Sequence, residues 1–338
     1  MTPRVTLKTV AAAAGVSVSA VSLALRDNPR ISEEKRAEIK RIAGELGYIY
    51  NRHAANLRTG TNDTVSVCVN DLRNPVFAEF VTSIEEALRE SDRLVLLCNA
   101  HEEEEVQASF IRRMLEQGSN GLVLSPVAGT RAEALREVVG PQFPTVLMSR
   151  GLDDDSFDQV VNDDPLGLRL AVQALVELGH RKIAWIGGGQ DTSTARRRFA
   201  GFEAGLREAG LPIDPTLVLP TAHTTLEAGR RAMIQILDAA PEVTGVLCFG
   251  DLLALGAVSA CRERGLEVGR DISIIGHDDI EETAYFDPAL STVHVRKRMI
   301  GRTAAELLLQ RIDAPFAPPV SRVIAPRLVF RGTTGPAP

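Results

Sequence analysis

Aromatic side chains are scarce in this sequence: they make up 4% of the 338 residues, with a single tryptophan and three tyrosines. Composition therefore gives little support to a ligand site built mainly from stacked rings. The four cysteines, Cys68, Cys98, Cys248 and Cys261, are scattered without CxxC spacing and lie inside apolar runs. That excludes a disulfide framework and reads as buried free thiols in a reducing compartment. No apolar stretch of about 18 residues occurs, and the N-terminal MTPRVTLKTVAAAAGVSVSAV has no uninterrupted apolar segment before a cleavage site. A cytoplasmic protein with no membrane partner is the expectation. With 44% hydrophobic and 24% charged residues, disorder is excluded as well, and the length allows two or three domains.

The net charge of −6 argues at first against a nucleic-acid partner, but it is unevenly distributed. Residues 1–60 carry ten Lys or Arg against five acids, a balance of +5, which leaves −11 for the remainder. A basic end can meet phosphate while the acidic body is repelled by it.

Three helical patterns fill the first fifty residues. Leu7, Val10, Ala11 and Ala14 share one helix face, with Thr6 as a cap, and Gly15 breaks the pattern. Ser17 caps a second short helix whose inner face is Val21, Ala24 and Leu25, leaving Val18, Ser19, Ser22, Leu23 and Arg26 facing outward. A third helix begins at Ser32, buries Ile39, Ile42, Ala43 and Leu46, and stops at Gly47. Two short helices joined by a glycine turn can place one exposed face in a major groove. Small three-helix motifs of this spacing also serve protein interaction.

From Thr64 the rhythm becomes strands alternating with amphipathic helices: VSVCV, FAEFVTSIEEALRE, RLVLLC, EEVQASFIRRMLEQG, GLVLSP. A second series follows, with helices from Pro165, Thr194, Thr225 and Asp251 between the strands KIAWIG, TGVLCF and ISIIGH. This βαβ order implies parallel sheets covered by helices on both faces, and its length implies two similar subdomains with a cleft between them.

The residues VTLKTVAAAAGVSVSAVSLAL and GYIYNRHAANLRTG resemble the headpiece and hinge of the lactose/galactose repressor (LacI/GalR) family. NPVFAEFVTSIEEAL, ALVELGHRKIAWIGG, RRRFAGFEAGLREAG, DLLALGAVSACRERG, DISIIGHDDI and PRLVFRGTT resemble blocks of the same family in the same order, so that the likeness covers nearly the whole chain. It implies an all-α helix-turn-helix headpiece (1–50), a hinge helix and linker (51–61), and an α/β periplasmic-binding-protein-like core of two parallel-sheet subdomains (62–338). The N-subdomain would take about 62–161 and 293–320, and the C-subdomain about 162–292 and 321–333.

The resemblance also implies DNA contacts: Val18, Ser19 and Leu23 at base edges, with Thr6, Ser17, Ser22 and Tyr48 near phosphates. Leu23 departs from the arginine that many family members carry there; leucine offers only apolar contact, for instance to a thymine methyl. It would otherwise pack against the third helix. Asn51 to Thr59 is too short for a stable isolated helix. By resemblance it is the hinge, with Leu57 wedged between base steps and Asn51, Ala54 and Arg58 against the minor groove. Tyr50 stands where proline is common, which leaves the start of the hinge less rigid.

In the cleft, the resemblance points to Arg198 and Asp278 as ligand contacts, a forked donor and an acceptor pair suited to adjacent hydroxyls or a polar ring. Phe77, Ser149 and Thr224 join them. Ser149 replaces a common aspartate, Thr224 a frequent aromatic, and Gly250, before Asp251, a common asparagine. A small-molecule effector, by family habit a sugar or sugar derivative, is implied.

Features that invite an enzyme are weak. Gly187 to Gly189 suggests a phosphate cradle but matches neither GxGxxG nor GxxxxGK[ST]. His101 and Glu102 to Glu105 lack HExxH spacing, and such acids at a helix start normally face water. His277, Asp278 and Asp279 come without a GxSxG serine. The expectation is therefore no catalysis, no cofactor and no metal. It is a transcription regulator, most simply a repressor, binding near-palindromic double-stranded operator DNA as a homodimer and located in the cytoplasm at the nucleoid. A ligand-binding protein without DNA function and a cytosolic α/β enzyme are the competing classes.

Overall fold

The computed structural model describes residues 5–49, 62–189 and 191–338, which form two compact units, one within 1–62 and one within 63–338. In the first, α1 (Leu7–Ala14), α2 (Val18–Ala24) and α3 (Glu33–Glu45) close around Val10, Val21, Ala24, Ile39 and Ala43. Each helix starts on a hydroxyl cap. Thr6 accepts from the Thr9 N–H at 3.3 Å, Ser17 from Ala20 at 3.1 Å and Ser32 from Lys35 at 3.4 Å. Gly15, at φ 63°, takes the left-handed conformation that ends α1, and α1 and α2 bend by 98° at the break, within the range of a helix-turn-helix.

Two sequence expectations fail here. Ser22 is buried rather than outward-facing, because the Arg26 side chain folds back over its hydroxyl and carbonyl. Leu46 is 38% exposed. The chain turns at Gly47, φ 69°, and the last core contact falls instead to Tyr48, whose N–H donates to the Ala43 carbonyl at 2.8 Å.

The second unit contains two six-stranded sheets. The strands of the first, in spatial order, are β11 (Ser321–Ile324), β5 (Asp158–Asn162), β4 (Thr145–Ser149), β3 (Leu122–Leu124), β1 (Thr64–Val69) and β2 (Leu94–Asn99), all parallel. On one face lie α4 (Pro75–Arg89) and α11 (Lys297–Asp313), on the other α5 (Glu104–Glu116) and α6 (Ala132–Val139). The second sheet runs β12 (Arg327–Val329), β10 (Ser291–His294), β9 (Ser273–Asp278), β8 (Gly245–Cys248), β6 (Ile183–Ile186) and β7 (Val218–Leu219), with only β12 antiparallel. It is covered by α7 (Asp164–Glu177) with α8 (Ser193–Glu208), and by α9 (Leu226–Ala239) with α10 (Asp251–Glu263).

The chain crosses between the sheets three times, after β5, after β10 and after β11. Ser321–Ile324 pairs with β5 in the first sheet, so the crossing expected at 320/321 lies four residues later; β10 likewise carries the second crossing past His294. β-Propensity marks such short strands but does not say which of two similar sheets accepts them.

Candidate functional site

On α2, Val18 is 40% exposed and Ser19 is exposed, while Leu23 is half-buried outside the three-helix core cluster. These three side chains form the accessible face, edged by the exposed hydroxyls of Thr6 and Ser17. Ser22 is absent from that face. Its hydroxyl and carbonyl instead receive Arg26 Nη2 at 3.4 Å and Nε at 3.1 Å, which fixes an exposed guanidinium beside that face. Tyr48 is half-buried at the end of α3. Tyr50, Asn51, Ala54, Leu57 and Arg58 lie outside the described residues.

The core carries a second site. A cavity of about 280 Å³ opens at the C-terminal ends of the strands, where ligands enter open parallel sheets. Phe77, Ser149, Arg198, Thr224 and Asp278, all singled out in the sequence, line it together. Phe77 comes from α4 and Ser149 from the end of β4, with φ at 65°. From the second sheet's side come Arg198 on α8, Thr224 before α9 and Asp278 at the end of β9. Gly250 is matched to its neighbours: a Cβ there would stand 3.1 Å from Thr224 Cγ2 and 3.4 Å from Asp278 Oδ2.

Arg198 organises the floor. It is 7% exposed; Nε donates to Asp164 Oδ1 at 3.2 Å, Nη2 to Asp278 Oδ1 at 3.2 Å and Nη1 to the Phe249 carbonyl, with the guanidinium carbon 4.6 Å from the centre of the Phe249 ring. Burial alone would raise the Asp278 carboxyl, but Arg198, His277 and Lys297 hold it below its ordinary value, so it is ionised. His277 is pushed down by burial and by Arg198. It is therefore neutral, and Nδ1 donates to Asp278 Oδ1 at 3.1 Å. Asp251, two residues after the cavity-lining Phe249, is held well above the usual carboxylate range by burial and by Asp278. It accepts from the Ile280 N–H at 2.9 Å and the Thr292 hydroxyl at 2.6 Å and acts as a strut.

Sequence reasoning missed several lining residues. Asp164 is the shared acceptor for Arg198 and for Asn162 Nδ2, while the buried Asn162 Oδ1 has no hydrogen-bond partner. Arg150 forks onto Glu102 at 2.8 and 2.9 Å, so Glu102 is not one of the water-facing acids of a helix start. Arg73, also lining the cavity, is likewise paired, with Asp71 at 2.7 Å. A paired-arginine signal of this kind was not readable from spacing.

The glycine run at 187–189 is not a phosphate cradle. Gly187 and Gly189 donate their N–H groups to the Leu219 and Thr221 carbonyls, and Gly189 abuts Thr221 so closely that an added Cβ would lie 2.6 Å from its oxygen. Those amides are already spent on neighbouring chain. Among the described residues, no single helix is long and apolar enough to cross a membrane.

Comparison with known proteins agrees with the two-part organisation. Residues 6–51 match the family described as bacterial regulatory proteins, lacI family, and residues 172–334 match the periplasmic binding protein-like domain. The chain is 31% identical over 309 residues to the HTH-type transcriptional repressor PurR of Vibrio atlanticus (strain LGP32), covering 91% of this chain and 92% of that protein. Against the HTH-type transcriptional repressor CytR of Escherichia coli (strain K12) the identity is 31% over 335 residues, 98% of this chain and 97% of the other. Among solved structures, a lac repressor dimer bound to operator and the anti-inducer ONPF superposes with a TM-score of 0.89 at 27% identity, covering 98% of this chain and all of that one. A complex of the transcriptional regulator CelR with cellobiose gives 0.73 at 30% identity, with the same coverage.

Proposed function

The chain belongs to the lacI family of bacterial regulatory proteins, and from that premise we propose that it is a homodimeric repressor whose grip on operator DNA is set by a sugar or sugar derivative bound in the cleft of the core. The observation that carries the ligand half of this reading is the cavity. Its walls come from the strand ends of both sheets, and its polar groups combine a buried arginine fork with ionised Asp278. Such a set suits adjacent hydroxyls. A ligand held by both subdomains changes their mutual position by favouring one arrangement over the other, and linkage requires DNA and ligand to influence each other equally.

On the DNA side, Val18, Ser19 and Leu23 would read base edges, Thr6, Ser17 and Tyr48 would meet phosphates, and Arg26 takes the place first given to Ser22. Residues 51–61 would form the hinge, with Leu57 as its wedge beside Asn51, Ala54 and Arg58. The protein would act in the cytoplasm, at the nucleoid.

Footprinting on genomic fragments from upstream of its own gene, repeated with a panel of sugars, tests the whole reading. A near-palindromic protected site whose occupancy changes with one sugar is expected. Absence of specific protection at low salt would overturn the DNA half, and protection indifferent to every sugar would overturn the ligand half.

A further inference from the structure

Arg150 stands where three spaces in the core meet. It lines the 280 Å³ cavity, a second cavity of about 310 Å³ bounded by Thr130, Asp153, Thr192, Ser193 and Arg196, and a gap of about 20 Å³ between them, walled by Gly188, Thr224 and Phe249. Among the described residues it is the one side chain shared by both larger cavities.

Its guanidinium is also unusually well fixed. The Glu102 carboxylate takes both terminal nitrogens, and the Pro126 carbonyl takes Nη1 at 3.1 Å; the residue is 8% exposed. A bidentate pair of this kind is geometrically stiff. The chain reaches it at a conformational cost: Ser149 just before Arg150, and His101 with Glu102, all have φ between 55° and 65°, which side chains other than glycine rarely adopt. Such outliers persist only where the surroundings hold them in place.

The second cavity is chemically a continuation of the first. Its wall is polar, with Thr130, Thr192, Ser193 and Asp153, and it is bridged by Arg196 of α8, which donates to Asp153 at 2.7 Å from the opposite subdomain. The smaller volume, 280 Å³, lies just under the range usual for drug-sized ligands, and joining the two roughly doubles it.

We propose that Arg150, locked by Glu102, is a partition that limits the cleft ligand to a single sugar ring, and that the chamber behind it would receive the second ring of a disaccharide if the partition were removed. This rests on the reading of the cleft as a sugar site. Arg150 acts here as a specificity residue through its bulk and fixed pose, since its charge is already matched by Glu102.

The test titrates full-length wild type, Arg150→Ala and Arg150→Lys with ribose, glucose and galactose as single rings and with cellobiose and maltose as double rings, by calorimetry and by operator release. Wild type should bind a single-ring sugar and reject both disaccharides. Arg150→Ala should gain about tenfold or more in affinity for a disaccharide while keeping operator binding in the absence of sugar. Arg150→Lys, which keeps stem and charge, should stay closer to wild type. Glu102→Gln, which loosens the fork without shortening it, should give an intermediate gain, and it serves in place of the alanine variant if that one fails to melt cooperatively by Trp185 fluorescence. Wild type that accepts a disaccharide as well as a single ring overturns the partition and leaves the sugar site standing. So do variants that still bind single rings alone. If none of the five sugars binds any of these proteins, the sugar reading falls and the partition falls with it.

Discussion

Replacing Arg198 by alanine tests the cleft and the fold together. The side chain joins α8 to Asp164 at the start of α7 and to Asp278 at the end of β9, with both carboxylates at most 5% exposed. Removing one partner of a buried ion pair leaves an uncompensated charge, at a cost of about 3 to 5 kcal/mol. Against a typical total of about 5 to 15 kcal/mol, that is a large fraction. The pH dependence gives the sharper signature. In wild type, Asp278 has a depressed folded-state value, so its contribution is present above its unfolded value, about 3.9, and is lost as the pH falls below it. Without Arg198, burial of Asp278 dominates and its folded-state value rises above the unfolded one. His277, which burial and Arg198 hold down, is also freed of one opposing charge. The folded variant then binds more protons than its unfolded chain, and its deficit should narrow on acidification from pH 8 to pH 5. The narrowing amounts to about 1.4 kcal/mol per pH unit for each additional proton. Urea unfolding followed by Trp185, the lone tryptophan, 1% exposed and packed against Phe199 and Phe202 near Arg198 on α8, reads this directly. A deficit below about 1 kcal/mol, or one that does not vary with pH, would refute the argument. In the same variant the response to effector should vanish while ligand-free operator binding remains; retained response removes Arg198 from the ligand site.

Asp279 is half-enclosed by His294 at 2.7 Å and Arg331 at 2.7 Å, and against the effect of burial these bonds bring its carboxyl down to about 2. Its stabilisation, about 2 kcal/mol, is present above its unfolded value and disappears as the pH falls toward 2. Asp279→Asn should therefore be less stable at pH 7 and show a flatter acid limb between pH 4 and pH 2, and parallel acid-unfolding curves would contradict this. Gly256 of α10 faces Leu226 so closely that a Cβ would sit 2.0 Å from its carbonyl oxygen. Since backbone cannot yield as a side-chain tip can, Gly256→Ala should cost about 2 to 3 kcal/mol in urea unfolding, and a loss under half that would mean α9 and α10 can slide apart. Ser17→Ala removes the cap of α2 and should cost the headpiece about 1 kcal/mol, seen as a lower melting temperature and weaker operator binding; unchanged binding would show that α2 is fixed by packing alone. Leu57→Ala should weaken specific operator binding more than non-specific binding in a gel-shift comparison, and equal losses would remove the wedge.

What the sequence made legible was whatever has local periodicity. The caps at Thr6, Ser17 and Ser32, the glycine stop at Gly15 and the alternation of strands and helices could be placed from spacing, and block resemblance brought Phe77, Ser149, Arg198, Thr224 and Asp278 to one cavity. Their counter-ions were not legible, because they depend on how folding brings together residues far apart in the sequence. Asp164 reads in the sequence as an ordinary acid at a helix start, and Glu102 as one of four in a row; only the fold brings the first to Arg198 and the second to Arg150, 34 and 48 positions away. These hidden pairings matter for what the cavity selects. Arg73, Arg150 and Arg198 each already hold a carboxylate of the protein. An anionic ligand would gain an arginine only by breaking a charge-assisted bond and leaving an acid unpaired, one of them deeply buried, whereas a neutral polyol can use the unspent N–H groups and Asp278 Oδ2 without breaking any pair. By this pairing the cavity would favour uncharged hydroxylated molecules over their phosphorylated forms.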